Sequence, residues 1–134
     1  ISKGRTCLKG DILFSKINPR IPRMTVVPEF DRDLVCSNEF EIFQPSADIG
    51  AYAICFLLKT SYVAKQIENL TSGTSSSHSR IKREQLMDIK VPYPVSETAK
   101  QEMQKIDSLI KRSFAEKYIA DTVLRNQLNK LEKI

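Results

Sequence analysis

The final third of the chain carries the feature that most restricts its fold, a long stretch with no helix-breaking residue. Residues 95–134 contain neither proline nor glycine. Thr98 and Gln101 have the spacing of a capping box, and Ser96 and Glu97 are alternative residues for the first turn. A helix of about 37 residues is about 55 Å long, whereas a body of about 95 residues has a radius of gyration of only about 13 Å. We therefore expect the helix to extend beyond the rest of the chain.

An apolar stripe runs along this helix, although Ser113 and Lys117 interrupt a strict heptad pattern. A helix this long needs a partner to cover its stripe, because only its first half can pack against its own domain. A second copy of the chain, related by a twofold axis, is the expected partner. The residues predicted to form this interface are Ile106, Ile110, Leu124, Leu128 and Leu131.

The first half of the chain has the patterns of a small sheet. Hydrophobic residues make up 41% of the whole chain, which is ordinary and allows a core. Short apolar runs predict strands at residues 12–17, 25–27 and 34–37, and prolines separate the first two runs. Residues 39–43 alternate polar and apolar, as a half-buried strand does.

A helical pattern follows over residues 49–70, and Thr60 and Ser61 are expected to divide it into two shorter helices. Ser46 or Asp48 can cap its beginning. Apolar residues at steps of three and four predict the side of this helix that faces the core. They are Ile49, Tyr52, Phe56, Val63, Ile67 and Leu70.

The remaining segment, before the long helix, predicts one helical turn over residues 82–87 and a strand over residues 89–91, closed by two prolines. The predicted fold class is therefore α+β. We expect a domain over residues 1–95, with a small mixed or antiparallel sheet and packed helices. A coiled-coil-like spacer or dimerisation helix over residues 96–134 would follow it.

Charge and composition single out two loops. The net charge is +5, and the excess lies after residue 48, because residues 1–48 hold seven basic and seven acidic groups. Small hydroxyl donors beside cations are suited to phosphates and base edges, although a solvated surface loop is the plainer interpretation. The candidate DNA contacts are Lys16, Asn18, Arg20 and Arg23 on the first loop, and Thr74, Ser75, Ser76, His78, Arg80 and Lys82 on the second.

The sequence offers little for catalysis. Its three cysteines are far apart and its only histidine is His78, which argues against a metal site and a disulfide framework. Buried free thiols in a reducing cytoplasm are expected instead. No phosphate-binding glycine loop or nucleophile motif occurs, and no apolar run is long enough to span a bilayer. We therefore expect a binding module with no catalytic residues and no cofactor.

Four motifs, taken in order, resemble the target-recognition domains of type I restriction–modification specificity subunits. The resemblance covers nearly the whole chain. Residues 97–134 resemble the spacer helix that follows each recognition domain. The four motifs are GDILFSKINP at residues 10–19, CSNEF at 36–40, YAICFLL at 52–58, and SGT at 72–74 with RI at 80–81 and LMDIKVPYP at 86–94.

This resemblance implies a function that the residues alone do not give. Specificity subunits bind double-stranded DNA sequence-specifically and position the modification and restriction subunits, which carry the catalysis. Their spacer helices pair antiparallel, so a second recognition half could replace a second copy as the partner. Because only nine residues precede Gly10, the chain resembles the C-terminal part of a recognition domain with its spacer helix.

Two other functions remain compatible with the sequence. The chain could assemble through its helix without reading DNA, which the short segment before Gly10 favours. It could also be the recognition part of a methyltransferase–nuclease fusion. Salt-dependent DNA binding separates the first of these from a recognition domain.

Overall fold

The structure, a computed structural model, describes residues 4–46, 48–71 and 79–133. The predicted fold class is confirmed, because small antiparallel sheets are combined with helices and with one long C-terminal helix. In the described ranges the strands are β1 (Arg5–Cys7), β2 (Ile12–Ser15), β3 (Met24–Val26), β4 (Leu34–Cys36) and β5 (Phe40–Phe43), and the helices are α1 (Ala51–Leu58), α2 (Ser61–Leu70), α3 (Arg83–Met87) and α4 (Glu97–Glu132).

The central strand of the larger sheet is β2, which pairs antiparallel with β3 on one side and β5 on the other. Phe14 therefore lies between Met24 and Glu41 in the register. A smaller sheet pairs β1 with β4. The turn that joins β1 to β2 uses Gly10 at a positive φ of 88°, a conformation that is open to glycine at little cost.

The core joins the larger sheet to α2, α3 and the segment between them. Phe14 is fully buried and packs with Val63 and Ile67 of α2, with Leu86 of α3 and with Ile81. Burying large aliphatic and aromatic side chains contributes about 1.5–3 kcal/mol each. Ile81 therefore anchors the segment before α3 to the body of the domain.

The predicted division at Thr60 and Ser61 is confirmed. The predicted core-facing stripe is confirmed at Ile49, which is buried, but it is wrong at Phe56. Phe56 is 47% exposed, while the buried positions of α1 are Ala51, Ala53, Cys55 and Leu57. The reason is that α1 lies between β3 and α4 and is covered on two sides. On α2, Val63 and Ile67 are buried as expected, and Leu70 is partly exposed at the helix end.

The N-terminus of α1 is capped from a distance, which corrects the prediction of a local cap. The N-cap residue is Gly50, with no side-chain cap of its own, and Ser46 instead accepts a hydrogen bond from the Ile49 amide. Asp107 of α4 accepts a hydrogen bond of 3.0 Å from the backbone N–H of Ala53, in the first turn of α1. The carboxylate fills the space that a Cβ at Gly50 would need. A negative group at this end also favours the helix dipole.

The predicted strand at residues 89–91 is wrong in an instructive way. The segment is extended, and Ile89 and Val91 pack on the core, yet no strand pairs with it among the described residues. The side-chain amide of Gln66 takes that place. Its oxygen accepts from the Lys90 N–H at 2.8 Å and its nitrogen donates to the Lys90 carbonyl at 2.7 Å. One side chain thus satisfies the backbone groups that a neighbouring strand would otherwise bind.

Helix α4 begins at Glu97, and its cap is Ser96, whose hydroxyl accepts from the Ala99 amide at 3.1 Å. The cap is therefore the alternative residue rather than Thr98. The first half of the helix packs on α1, with the rings of Tyr52 and Phe114 5.7 Å apart, and every described residue after Ile110 is exposed.

The described cysteines, Cys7, Cys36 and Cys55, are all free and buried, as expected. Burial raises the pKa of the Cys7 thiol, and it raises the pKa of Cys55 to about 11. Because the thiolate is the reactive form, these cysteines act as small apolar residues of the packing.

The distant cap predicts a graded loss of stability at Asp107. Asp107→Ala removes the acceptor of the Ala53 N–H and should lower the free energy of unfolding by about 1 kcal/mol, measured by urea denaturation. Asp107→Asn keeps an accepting oxygen and should lose only part of that. Glu116→Ala, at an exposed position on the same helix, is the control. An equal effect of Asp107→Ala and Glu116→Ala would contradict the cap.

Candidate nucleic-acid interface

The first loop and the described end of the second, residues 79–82, lie side by side. An antiparallel bridge pairs Ile17 with Arg80. The Asn18 N–H donates to the Ser79 carbonyl at 2.9 Å, and the Ile81 N–H donates to the Lys16 carbonyl at 3.0 Å. Residues 61 to 65 positions apart in the chain therefore form one surface.

Burial alternates along the segment that enters α3, and this alternation aims its cations outward. Ser79 and Ile81 are buried, while Arg80 and Lys82 are exposed. In extended backbone successive side chains point to opposite sides. Since Ile81 is held in the core, its two basic neighbours must face solvent.

A buried carboxylate lies behind this surface. Glu41 is 3% exposed, and its oxygens lie 3.9 Å from Arg5 Nη1, 3.5 Å from Lys16 Nζ and 3.5 Å from Arg83 Nε. Arg5 also donates to the Phe40 carbonyl. A charge taken out of water is costly unless it is paired, and Glu41 is compensated by cations from three different segments.

In front of Glu41 lies a second, exposed ion pair. Arg80 Nη1 donates to Glu39 Oε2 at 2.8 Å. The Arg80 side chain is 61% exposed and the Glu39 side chain is 40% exposed. The pair lies in an open groove of about 470 Å³. We call this the basic groove, and its lining residues are Lys16, Asn38, Glu39, Arg80, Ile81, Lys82, Arg83 and Glu84.

Three of the predicted DNA contacts, Lys16, Arg80 and Lys82, lie in the basic groove. Asn18 contributes through its backbone, because its φ of 49° forms the turn at which its carbonyl accepts from the Ile21 amide. Lys16 is half-buried, and its ammonium group lies 3.5 Å from Glu41 while the residue lines the groove.

Three of the described predicted contacts, Asn18, Arg20 and Arg23, lie outside the lining of the groove. Arg20 is half-buried and bound to Thr71 at the end of α2, with Nε 3.0 Å from the hydroxyl and Nη2 2.6 Å from the carbonyl. Arg23 is exposed and donates to the Ile17 carbonyl at 3.0 Å. Both guanidinium groups fix the first loop. The predicted contacts Thr74, Ser75, Ser76 and His78 lie outside the described residues.

The predicted helix interface is divided in two by the fold. Ile106 and Ile110 are half-buried, and Ile110 lies beside Tyr52 and Phe114 at the contact with α1. The three leucines farther along α4 are between 50% and 64% exposed. They are Leu124, Leu128 and Leu131.

Sequence reasoning missed Arg5, Glu39, Glu41 and Arg83 as parts of the site. The alternation of residues 39–43 predicts a solvent-facing Glu41, because polar positions of a half-buried strand usually face water. Only the pairing of β2 with β5, together with cations from β1 and α3, makes its burial possible. Arg83 carried a weak signal as part of a basic run.

Comparison with models of known protein families gave no match, and no curated protein matches the chain significantly. Within residues 4–46, 48–71 and 79–133, no group of histidine, cysteine or acidic side chains is arranged to hold a metal ion. No helix in the same ranges is long and apolar enough to cross a membrane.

Because Glu41 is buried and Glu39 is exposed, substitutions at these two positions should lower the free energy of unfolding by different amounts. Glu41→Gln leaves three cations without their counter-charge and should lower the free energy of unfolding by about 1–3 kcal/mol, less than for a fully buried pair because the cations keep contact with water. Glu39→Gln breaks only an exposed pair and should cost about 0–1 kcal/mol. Urea denaturation of both variants provides the comparison, and equal losses would contradict the central role of Glu41.

Proposed function

We propose that the chain is a DNA-recognition module of the type I specificity-subunit kind, with no catalytic activity of its own. The observation that carries this proposal is the basic groove, where the segment with Arg80, Lys82 and Arg83 is bridged to the first loop and lies beside Lys16 of that loop. The motif resemblance supports the same conclusion independently. Modification and restriction subunits in the cytoplasm would supply the catalysis.

The groove has the chemistry that double-stranded DNA requires. Arginine and lysine side chains contact phosphates and guanine, while amide and carboxylate groups contact adenine and cytosine. Both kinds are present here, since Asn38 and Glu39 lie among the cations. The support beneath them is rigid, because Ile81 and Glu41 are buried.

The exposed part of α4 would hold a second copy of the chain. In an antiparallel pair with its twofold axis at residue 119, Lys117 faces Asp121 of the second copy, and the reverse pair forms on the other side of the axis. Leu124 then faces Phe114 and Leu128 faces Ile110 of the second copy, at the edge of the contact between α1 and α4 in that copy. The charge of Lys117, which interrupts the apolar stripe, is thus complementary to that of Asp121, and the dimer presents two grooves.

Salt-dependent DNA binding tests the proposed interface. The chain should bind duplex DNA with an affinity that falls steeply with salt, measured by fluorescence anisotropy at two salt concentrations. Lys82→Ala and Arg83→Ala should weaken binding to all sequences, and each should reduce the salt slope by about one.

The matched control for this experiment is Lys9→Ala, because Lys9 is exposed near the opposite end of β2. It removes the same charge and should leave DNA binding unchanged. Absence of DNA binding by a folded dimer would reject the recognition function and favour assembly through the helix.

A charge exchange tests the dimer. Lys117→Asp or Asp121→Lys places like charges opposite each other twice in each dimer and should weaken dimerisation about tenfold, measured by sedimentation. The double exchange should restore dimerisation. Arg112→Asp, on the other side of α4, is the control. A wild-type chain that stays monomeric at high micromolar concentration would contradict the proposal, as would a double exchange without recovery.

A further inference from the structure

The exposed ion pair in the basic groove has an unusual position for a phosphate contact. Arg80 is the only lining cation of the described groove that an exposed carboxylate, Glu39, binds at hydrogen-bond distance. A phosphate at this point would meet the negative charge of Glu39. The exposed Lys82 and Arg83 carry no such neighbour at hydrogen-bond distance among the described residues.

We infer that Arg80 and Glu39 together read one G·C base pair in the major groove, an inference that rests on the proposed DNA-recognition function. The major-groove edge of this base pair presents two acceptors, N7 and O6 of guanine, followed by one donor, the N4 amino group of cytosine. The ion pair offers the complementary order of donors followed by an acceptor. Each terminal nitrogen of a guanidinium carries two hydrogens, so Nη1 can bind Glu39 and still donate to a base.

The contacts of Arg80 also restrict its guanidinium before DNA arrives. The bridge to Ile17 and the buried neighbour Ile81 hold the backbone of Arg80. The hydrogen bond of 2.8 Å to Glu39 holds its side chain. A side chain ordered in advance loses less entropy on binding. Glu39 is therefore both a positioning residue for Arg80 and the acceptor for cytosine.

The experiment selects DNA from a random duplex pool with the 134-residue chain and its variants, and then measures affinities for the selected sites. The wild-type motif should contain one G·C pair preferred about tenfold or more over other base pairs. Arg80→Ala and Glu39→Ala should each weaken that preference at the same position and leave the other positions unchanged. The double variant should lose no more than Arg80→Ala alone, because the two side chains act as one unit.

A base analogue gives the atomic readout. Replacing the guanine with 7-deazaguanine removes the N7 acceptor and should weaken binding of the wild type several-fold, but should not weaken binding of Arg80→Ala. Glu102→Ala is the control, because Glu102 also forms an exposed ion pair, with Lys105 at 3.3 Å. Glu102→Ala changes the net charge by the same amount as Glu39→Ala, but at a position away from the groove.

The possible outcomes are distinct. A specific motif whose G·C preference is insensitive to both variants would overturn this inference and leave the proposed function intact. If Arg80→Ala instead lowers the affinity for all sequences equally, Arg80 contacts a phosphate. That result would also overturn this inference and leave the proposed function intact. Absence of any DNA binding by folded wild-type protein would overturn the proposed function and this inference together. An unfolded variant is recognised by circular dichroism, and 7-deazaguanine then tests the wild type without any substitution.

Discussion

A carboxylate that is taken out of water is costly unless cations pair with it, and Glu41 is paired with three of them. This pairing joins separate segments of the domain. The three cations come from β1, from the end of β2 and from the start of α3, segments that share no other feature in sequence. Their meeting brings the two basic loops to one side of the sheet. The groove is therefore a product of charge compensation inside the domain as much as of charge on its surface.

The apolar counterpart of this arrangement is Ile81. It packs with Phe14, Val63 and Ile67, so the short extended segment around it cannot slide along the domain surface. Local alternation then decides which neighbours are exposed. The exposed surface beside Ile81 is therefore ordered by contacts with the core.

Sequence reasoning reached most of the elements, because periodicity and breakers are local signals. Strands β2 to β5, the division at Thr60 and the long final helix all follow from them, whereas β1 was not predicted. It failed where a distant residue replaced a local partner, as Asp107 does at the start of α1 and Gln66 does beside Lys90. For the site, it identified the basic loops but not Glu41, because a glutamate in an alternating strand predicts a solvent-facing side chain and its counter-ions are far away in sequence.

The cap that Asp107 provides also has a mechanical meaning. From Asp107 to the end of α4 at Glu132 the helix extends about 37 Å at about 1.5 Å per residue, and it is exposed over most of that length. The contact with α1 therefore sets the direction of the exposed part of α4. A tilt of about ten degrees at that contact moves the tip by about 6 Å, given this length. The accuracy with which the far end is placed thus depends on the contact between α1 and the first half of α4, to which the Asp107 hydrogen bond and the Tyr52–Phe114 ring contact both belong.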